Sequence, residues 1–199
     1  MSGAGQNEGM KKALLFVLAL IAVGCAEPIP RNLGDLVQQG EETWLDRETM
    51  RPYSGPVFRF LPNDTTRVQL SANLKDGKYD GPFEMYHENG QLQSRSTANM
   101  GEIDGPVETY YENGQLQERS IYTAGELDGP AESYHENGQL QEKVVFVAGD
   151  RDGPFEDYYE NGQLQDRGTY NMGRRCGEWI QDGETVTYDP CPPDLEDAV

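Results

Sequence analysis

The chain has 199 residues, of which 35 are Asp or Glu and 16 are Lys or Arg, so the formal net charge is −19 at pH 7. Leu, Ile, Val and Phe together supply 38 residues, and so small an apolar share combined with so much charge predicts disorder. The acidic excess argues against binding to nucleic acid or to an anionic membrane, because both need clustered Lys and Arg. It permits a basic partner, a cation, or a charge that serves only solubility.

The first predicted element is an export signal over residues 10–25, which read MKKALLFVLALIAVGC. Two lysines precede eleven apolar residues, Ala13–Val23, a run well short of the roughly 18 that span a bilayer. We therefore expect translation to begin at Met10 and residues 1–24 to be removed on export.

The four residues that end at Cys25 are Ala22, Val23, Gly24 and the cysteine itself, and they resemble a bacterial lipobox. In such a box the cysteine is lipidated and becomes the new N-terminus, where two or three acyl chains give stable membrane anchoring. Residue 26 is Ala and not Asp, which by resemblance to sorted lipoproteins implies the outer membrane of a Gram-negative cell, facing the periplasm or the cell surface. Two alternatives stay open: a cysteine that merely follows an ordinary cleavage site, and a buried free thiol.

Residues 25–34 are predicted as the lipidated N-terminus and a linker, and residues 35–54 as an N-terminal cap. Within the cap, LVQQGEETW from Leu36 to Trp44 places Gly40 between two short semi-apolar arms, which indicates a hairpin. A cap is expected because the first strand of a repeat array otherwise exposes unpaired backbone and an uncovered apolar face.

Residues 55–176 are dominated by a repeat of 24 residues, whose period predicts an array in which each unit contacts mainly its neighbours. Four near-identical copies begin at Asp80, Asp104, Asp128 and Asp152; Gly55 opens a degenerate first copy, and Gly177 a shortened last one. Each copy contains an Asn-Gly pair flanked by alternating residues, the pattern of a two-residue hairpin loop in which both loop residues adopt positive φ. The predicted loops are Asn89-Gly90, Asn113-Gly114, Asn137-Gly138 and Asn161-Gly162.

The two-residue loop sets a register that places opposite charges across every hairpin, and such pairs contribute about 0.2–1 kcal/mol each. The predicted pairs are Glu84 with Arg95, Glu108 with Arg119, Glu132 with Lys143 and Glu156 with Arg167. The same face carries Tyr86, Tyr110, Tyr134 and Tyr158, opposite Gln93, Gln117, Gln141 and Gln165. These glutamates and tyrosines form the candidate interaction face; a solvated β face stabilised by side-chain stacking is the alternative.

The other face is predicted to be the apolar side of the sheet. It contains Phe83, Val107, Ala131 and Phe155, then Leu92, Leu116, Leu140 and Leu164, with Ile103 and Leu127 beside the unit boundary. Tyr122, Phe146 and Tyr170 are expected to cover neighbouring glycines. Between units, Gly101-Glu102, Gly125-Glu126 and Gly149-Asp150 suit a second tight turn with Gly first. Pro82, Pro106, Pro130 and Pro154 conflict with paired strands, so a wider connection between units stays open.

The cycle Y-x-E-N-G-Q-L-x-x-R … G-x-x-D-G-P, which covers Tyr53 to about Tyr188, resembles the second variant of the MORN repeat, found in bacterial proteins often catalogued as YwqK-type antitoxins. The resemblance implies an all-β fold, an elongated single-layer antiparallel β-sheet of stacked hairpins that serves as an interaction surface.

After the repeats, residues 177–191 are predicted as a capping hairpin that turns at Asp182-Gly183 and pairs Trp179 with Val186, and residues 192–199 as a solvated acidic tail. Cys176 and Cys191 flank this hairpin, and in an oxidising compartment they are expected to form a disulfide. A catalytic or metal-binding cysteine pair is the alternative, disfavoured because the spacing is not C-x-x-C and no histidine is near.

No catalytic residue, metal site or cofactor is predicted. His87 and His135 occupy the repeat slot that Tyr111 and Tyr159 fill in alternate units, which favours a surface aromatic role over a base or ligand. The many Asp-Gly-Pro runs suit turns better than calcium loops. We therefore expect a non-enzymatic, lipid-anchored interaction protein of the cell envelope with a basic or polar protein partner; an antitoxin or immunity protein that neutralises one effector is the alternative.

Overall fold

The computed structural model describes residues 28–40 and 42–193. Cys25, the predicted signal sequence and residues 194–199 of the predicted tail lie outside the described residues.

Regular structure in the described residues consists of β-strands and one 3-10 turn, Leu33–Asp35. Before the four clear repeats the strands are β1 (Arg31–Asn32), β2 (Leu36–Gln39), β3 (Thr43–Asp46), β4 (Gly55–Leu61) and β5 (Asp64–Lys75). Within the repeats they are β6 (Lys78–Tyr86), β7 (Leu92–Asn99), β8 (Glu102–Ile103), β9 (Gly105–Tyr110), β10 (Leu116–Thr123), β11 (Glu126–Leu127), β12 (Gly129–Tyr134), β13 (Leu140–Val147), β14 (Asp150–Tyr158) and β15 (Leu164–Asn171). The last two are β16 (Arg174–Gln181) and β17 (Glu184–Thr187).

Fifteen of these strands form one sheet. From β4 onwards, the order of the strands across this sheet follows their order along the chain, and the short strands β8 and β11 pair with β7 and β10. All its pairings are antiparallel except that of β1 with β4, and β2 and β3 form a separate hairpin. The predicted fold class, an antiparallel sheet of stacked hairpins, is confirmed. Local ladders between consecutive strands order this chain, which is why its low apolar content does not leave the array disordered.

The predicted charge register is also present in all four hairpins. The register pairs Glu84 with Arg95, and the equivalent residues pair in the other three units. Tyr122, Phe146 and Tyr170 lie opposite Gly105, Gly129 and Gly153, as predicted.

The Asn-Gly loops differ from the prediction. In the first unit His87 and Gln91 close a three-residue loop, since the Gly90 amide donates to the His87 carbonyl and the His87 amide to the Gln91 carbonyl, both at 2.9 Å. Of the loop residues only the glycine has positive φ, +86° at Gly90, and the Asn89 side chain accepts from the Gln91 amide at 2.8 Å. This is a type I turn followed by a glycine bulge, to which Asn-Gly is equally suited. The same hydrogen bonds recur at Asn113, Asn137 and Asn161.

A bulge after each loop restores the predicted register. Met85 pairs with Ser94 but Tyr86 pairs with Leu92, so Gln93 is the extra residue. The prediction that Tyr86, Tyr110, Tyr134 and Tyr158 face glutamines is therefore wrong. The structure pairs them with Leu92, Leu116, Leu140 and Leu164. Since directly opposed residues share a face of the sheet, these leucines join the tyrosines and do not lie beside Phe83.

The turns between units were predicted one residue too far along the chain. The two positive-φ residues are Met100 and Gly101, at +51° and +101°, and Asn99 pairs with Glu102 across them. Positive φ at both central positions defines a type I′ turn, whose twist matches that of the strands. The equivalent turns are Ala124-Gly125, Ala148-Gly149 and Met172-Gly173.

The prolines are accommodated by a bulge and not by a wider turn. The register shifts between the pairs Ala72–Phe83 and Leu74–Tyr79, so Asp80, Gly81 and Pro82 oppose a shorter stretch of β5. Gly81 has a φ of +97° there. Pro82 thus lies where the ladder of hydrogen bonds between β5 and β6 is interrupted, so the ladder does not require an N–H donor from it.

Two apolar clusters bury the ends of the array. At the start, Leu33 and Leu36 pack with Val57, Leu70, Ala72 and Leu74, and Trp44 lies against them. At the end, Trp179 packs with Ala131, Val144, Phe155 and Tyr170. Each cluster is completed by a segment outside the four clear repeats.

Candidate interaction surface

One side of the sheet carries an alternating charge ladder. We call it the ladder face, and define it by the Glu, Tyr and cation slots of Glu84, Tyr86 and Arg95 in the four units. Ion pairs within the hairpins join Arg95 to Glu84 at 3.1 Å, Arg119 to Glu108 at 3.1 Å, Lys143 to Glu132 at 3.8 Å and Arg167 to Glu156 at 3.0 Å.

The ladder continues between units, which the sequence did not reveal. Arg95 lies opposite Glu108 of the next unit, and the same pairing joins Arg119 to Glu132 and Lys143 to Glu156. Each of these three cations is thus flanked by two carboxylates on adjacent strands. Four glutamates alternate with four cations, so the central stripe of this face is locally neutral.

The tyrosines of the ladder face are engaged by the same glutamates. The Tyr86 hydroxyl donates to Glu84 at 2.6 Å, and equivalent bonds in the next three units measure 2.8, 2.8 and 2.9 Å. Burial and the Glu84 carboxylate raise the pKa of Tyr86 to about 12, while the bond from Tyr110 lowers the pKa of Glu108. The predicted interaction residues are therefore brought together, but they satisfy one another.

The Asn-Gly edge of the sheet carries a second ladder. His87 Nε2 lies 2.7 Å from the Tyr110 carbonyl oxygen, and the Tyr111 hydroxyl donates to the Tyr134 carbonyl at 2.7 Å. His135 repeats the first contact with Tyr158 at 2.8 Å. His and Tyr thus hold the same structural place, bridging each turn to the next unit.

The opposite side of the sheet changes from unit to unit. We call it the variable face, and define it by two rows of residues that run across the strands. The inner row runs Phe83, Ser96, Val107, Ser120, Ala131, Val144, Phe155 and Gly168. The outer row runs Met85, Ser94, Thr109, Glu118, Ser133, Glu142, Asp157 and Asp166.

The outer row becomes acidic towards the C-terminus. Glu142, Asp157 and Asp166 lie directly opposite one another on three adjacent strands, an arrangement of like charges that is destabilising. Arg151 binds Glu142 at 2.9 Å and Arg175 lies 3.7 Å from Asp166. Burial and the neighbouring carboxylates raise the pKa of Glu142, and burial with Asp166 raises that of Asp157. Comparing the four units slot by slot would have revealed this row in the sequence.

The C-terminal end of the variable face is closed by Trp179, which is fully buried. A Cβ atom on Gly168 would lie 2.2 Å from the Trp179 ring, so only glycine fits in this slot. The Trp179 Nε1 donates to the carbonyls of Thr169 and Cys176, and Arg175 stacks 4.5 Å from the ring centroid. The register pairs Trp179 with Val186, as predicted.

A disulfide joins Cys176 to Cys191, with sulfur atoms 2.02 Å apart. The Gly177 amide donates to the Asp189 carbonyl at 2.8 Å, which holds the segment after β17 against β16. The predicted pairing of these two cysteines is present, and both are buried.

The N-terminal hairpin covers the other end of the sheet. The Trp44 amide donates to the Gly77 carbonyl at 2.7 Å, and the Gly77 amide donates to the Tyr53 carbonyl at 2.8 Å. An open hollow of about 460 Å³ lies beside it, lined in part by Arg31, Asp46 and Phe58. The Thr49 amide and hydroxyl, with Arg31, lower the pKa of Asp46 to about 2, so these polar groups stabilise the cap itself.

Within residues 28–40 and 42–193, no cluster of three His, Cys, Asp or Glu side chains could hold a metal ion. In the same part of the chain, no helix has the length and apolar character needed to cross a bilayer.

Four segments match the family model described as MORN repeat variant: residues 79–99, 103–124, 127–148 and 151–172. The chain has no significant match among curated proteins. Repeats of this kind are commonly modules for interaction with proteins or membranes and are generally non-catalytic. Each of the hairpins β6–β7, β9–β10, β12–β13 and β14–β15 therefore coincides with one match to this MORN repeat variant.

Proposed function

We propose that the protein is a non-catalytic interaction scaffold of the cell envelope, anchored by lipid on Cys25. The observation that supports an interaction role is the contrast between two faces of one sheet: a uniform ladder that satisfies its own polar groups, and a face whose residues change along the array. A uniform ladder fixes the shape of the array. A face whose residues differ from position to position allows a partner to bind at one specific place.

The test is a pull-down with the lipidated protein from its own envelope fraction, followed by identification of the bound protein. A single enriched partner that binds the purified protein directly is the expected result. Retrieval of nothing above background would remove the support for a scaffold.

The anchor is tested separately by Cys25→Ala, with Cys176→Ala as a matched control. The first variant should move from the membrane fraction to the soluble fraction, because a lipid-modified cysteine holds the chain at the bilayer. The control should stay in the membrane fraction. Retention of the Cys25→Ala variant would contradict lipidation.

A narrower proposal is that the partner is one effector protein, which this protein neutralises. The net charge of −19 supports it, since an acidic protein associates fast with a cationic effector. Co-expression decides this point: the protein should protect cells from a toxic product of an adjacent gene, and absence of any such gene favours a general scaffold.

A further inference from the structure

The four units of the array differ mainly on one face. Within one chain, the slots of Gly81, Pro82, Glu84, Tyr86 and Asn89 are identical in all four copies. The ladder face and the turns use these constant slots. The slots of Phe83, Met85, Ser94 and Ser96 vary, and all of them lie on the variable face.

The charge of this face changes from the first unit to the last. The outer row is uncharged at Met85, Ser94 and Thr109 and then carries Glu118, Glu142, Asp157 and Asp166. These four carboxylates lie on β10, β13, β14 and β15. At about 4.8 Å between strands, they extend over roughly 19 Å, the reach of about six residues of extended chain.

The acidic row is only partly neutralised by the protein itself. Ion pairs of the described residues engage Glu142 and Asp166 but neither Glu118 nor Asp157. Glu118 is exposed and Asp157 half-buried. Directly opposed carboxylates raise the free energy of the folded state unless a cation lies between them, so the row is complementary in charge to a cationic occupant.

The inner row beside these carboxylates is mostly buried within the protein and contains a hydroxyl without a partner. Ser120 is 1% exposed, lies opposite Val107, and its Oγ makes no hydrogen bond. Ala131, Val144 and Phe155 are buried as well, so beside the carboxylates the row offers a partner apolar contact only at half-buried Val107. Half-buried Tyr122 and Phe146 continue the apolar surface towards the other edge.

We propose that the outer row from Glu118 to Asp166, with half-buried Val107 and Tyr122 beside it, is the docking site for an extended cationic segment of a partner protein. Lys or Arg at alternate positions of that segment would recur about every 6.7 Å and place three or four cations along the row. Its apolar side chains would pack towards Val107 and Tyr122. The proposal deepens the scaffold function, on which it rests, and moves recognition from the Tyr and Glu face to the opposite one.

The probe is a labelled seven-residue peptide that alternates Lys with Val, and its charge-inverted version has Glu in place of Lys. Binding to the full mature protein is measured by fluorescence anisotropy at about 0.15 M salt, where exposed long-range attraction is largely screened. The test variant is Glu118→Gln with Asp157→Asn, since neither carboxylate holds a cation that its removal would leave unpaired. The matched control, Glu112→Gln with Glu136→Gln, removes the same charge from the exposed Asn-Gly edge.

The Lys peptide should bind the protein and the Glu peptide should not. The test variant should weaken binding about tenfold, the effect of losing two exposed ion pairs, while the control should change it less than twofold. Circular dichroism and urea unfolding should show both variants folded.

Equal loss in the two variants would mean attraction by overall charge and would overturn the proposal. So would absence of peptide binding, or a dimer in sedimentation that buries this face against a second copy. A partner from the envelope pull-down that binds the test variant as tightly as the wild type would overturn the docking position and leave the scaffold function standing. Retrieval of no partner would overturn the function itself.

Discussion

The two faces of the sheet differ in how closely the four copies of the repeat resemble one another. On the ladder face, each of three cations lies between the glutamates of two units, so a change in one unit disturbs its neighbour as well. On the variable face, the slot of Ser96 is Ser, Val or Gly in the later units, and the glycine, Gly168, leaves room for the Trp179 ring. Positions that are constant in all four copies therefore form the contacts that hold the array together. Positions that vary between copies mark places where one particular side chain is packed or a partner is recognised.

The largest expected effect on stability is on the variable face. Trp179→Ala should lower the free energy of unfolding by about 3–5 kcal/mol, because it opens a cavity among Phe155, Tyr170 and Gly168. Tyr110→Phe on the ladder face, which removes one hydrogen bond, should cost only about 1 kcal/mol. Urea unfolding measures both. Similar losses for the two variants would contradict the contrast between the faces.

The disulfide should rank second. Replacing both Cys176 and Cys191 by Ser should lower stability by about 3 kcal/mol, the chain-entropy contribution of a closed loop of about 15 residues. Hydrogen exchange should show the loss concentrated in β16 and β17 and little change in β6–β9. Thiol labelling of the denatured, unreduced wild type serves as the control, and it should find neither cysteine free.

The charge ladder should contribute little per pair. A double-mutant cycle with Glu108→Gln and Arg119→Gln should give a coupling energy of about 0.2–1 kcal/mol that falls as salt is added. The longer pair of Lys143 with Glu132, at 3.8 Å, should give less. A coupling above about 2 kcal/mol would show that the ladder dominates the stability of the array.

The smallest effect concerns pH. The pKa of Asp157 is raised in the folded state, chiefly by burial. Asp166 raises this pKa further, whereas Arg151 and His135 lower it. Glu142 lies directly opposite and its pKa is raised as well. The folded state therefore binds these protons more tightly than the unfolded state, so their contribution to stability increases as pH falls through the folded pKa.

Asp157→Asn should accordingly be slightly more stable than the wild type at pH 7. The difference should vanish below the unfolded pKa, near pH 4. Thermal unfolding of both proteins at the two pH values makes the measurement. A variant that is less stable at pH 7 would contradict strain in the acidic row.

The sequence predicted the period, the charge register and the pairing of Trp179 with Val186, because these depend on spacing alone. It did not predict the loop type, since Asn-Gly suits a two-residue loop and a three-residue loop equally. The extra loop residue and the bulge at Gln93 cancel, so Glu84 still meets Arg95 while Leu92 changes face. The charge pairs therefore fit a two-residue loop and a three-residue loop alike.

The turns between units were displaced in the prediction for a different reason. Met100 and Met172 adopt positive φ, which side chains other than Gly, Asn and Asp rarely do, and no propensity favours methionine there. The acidic row does not follow from the repeat pattern, because that pattern contains only the residues that the four copies share. Only their differences reveal Glu118, Glu142, Asp157 and Asp166.

The unlike ends of the array have a consequence for growth. A stack of near-identical hairpins could accept another molecule at either terminal strand and lengthen into a fibre. At one end β1 covers part of β4 in parallel, and at the other β17 has only four residues and is followed by the ring that Cys191 closes. Both ends thus differ from the regular repeats, which disfavours the addition of further molecules at the terminal strands.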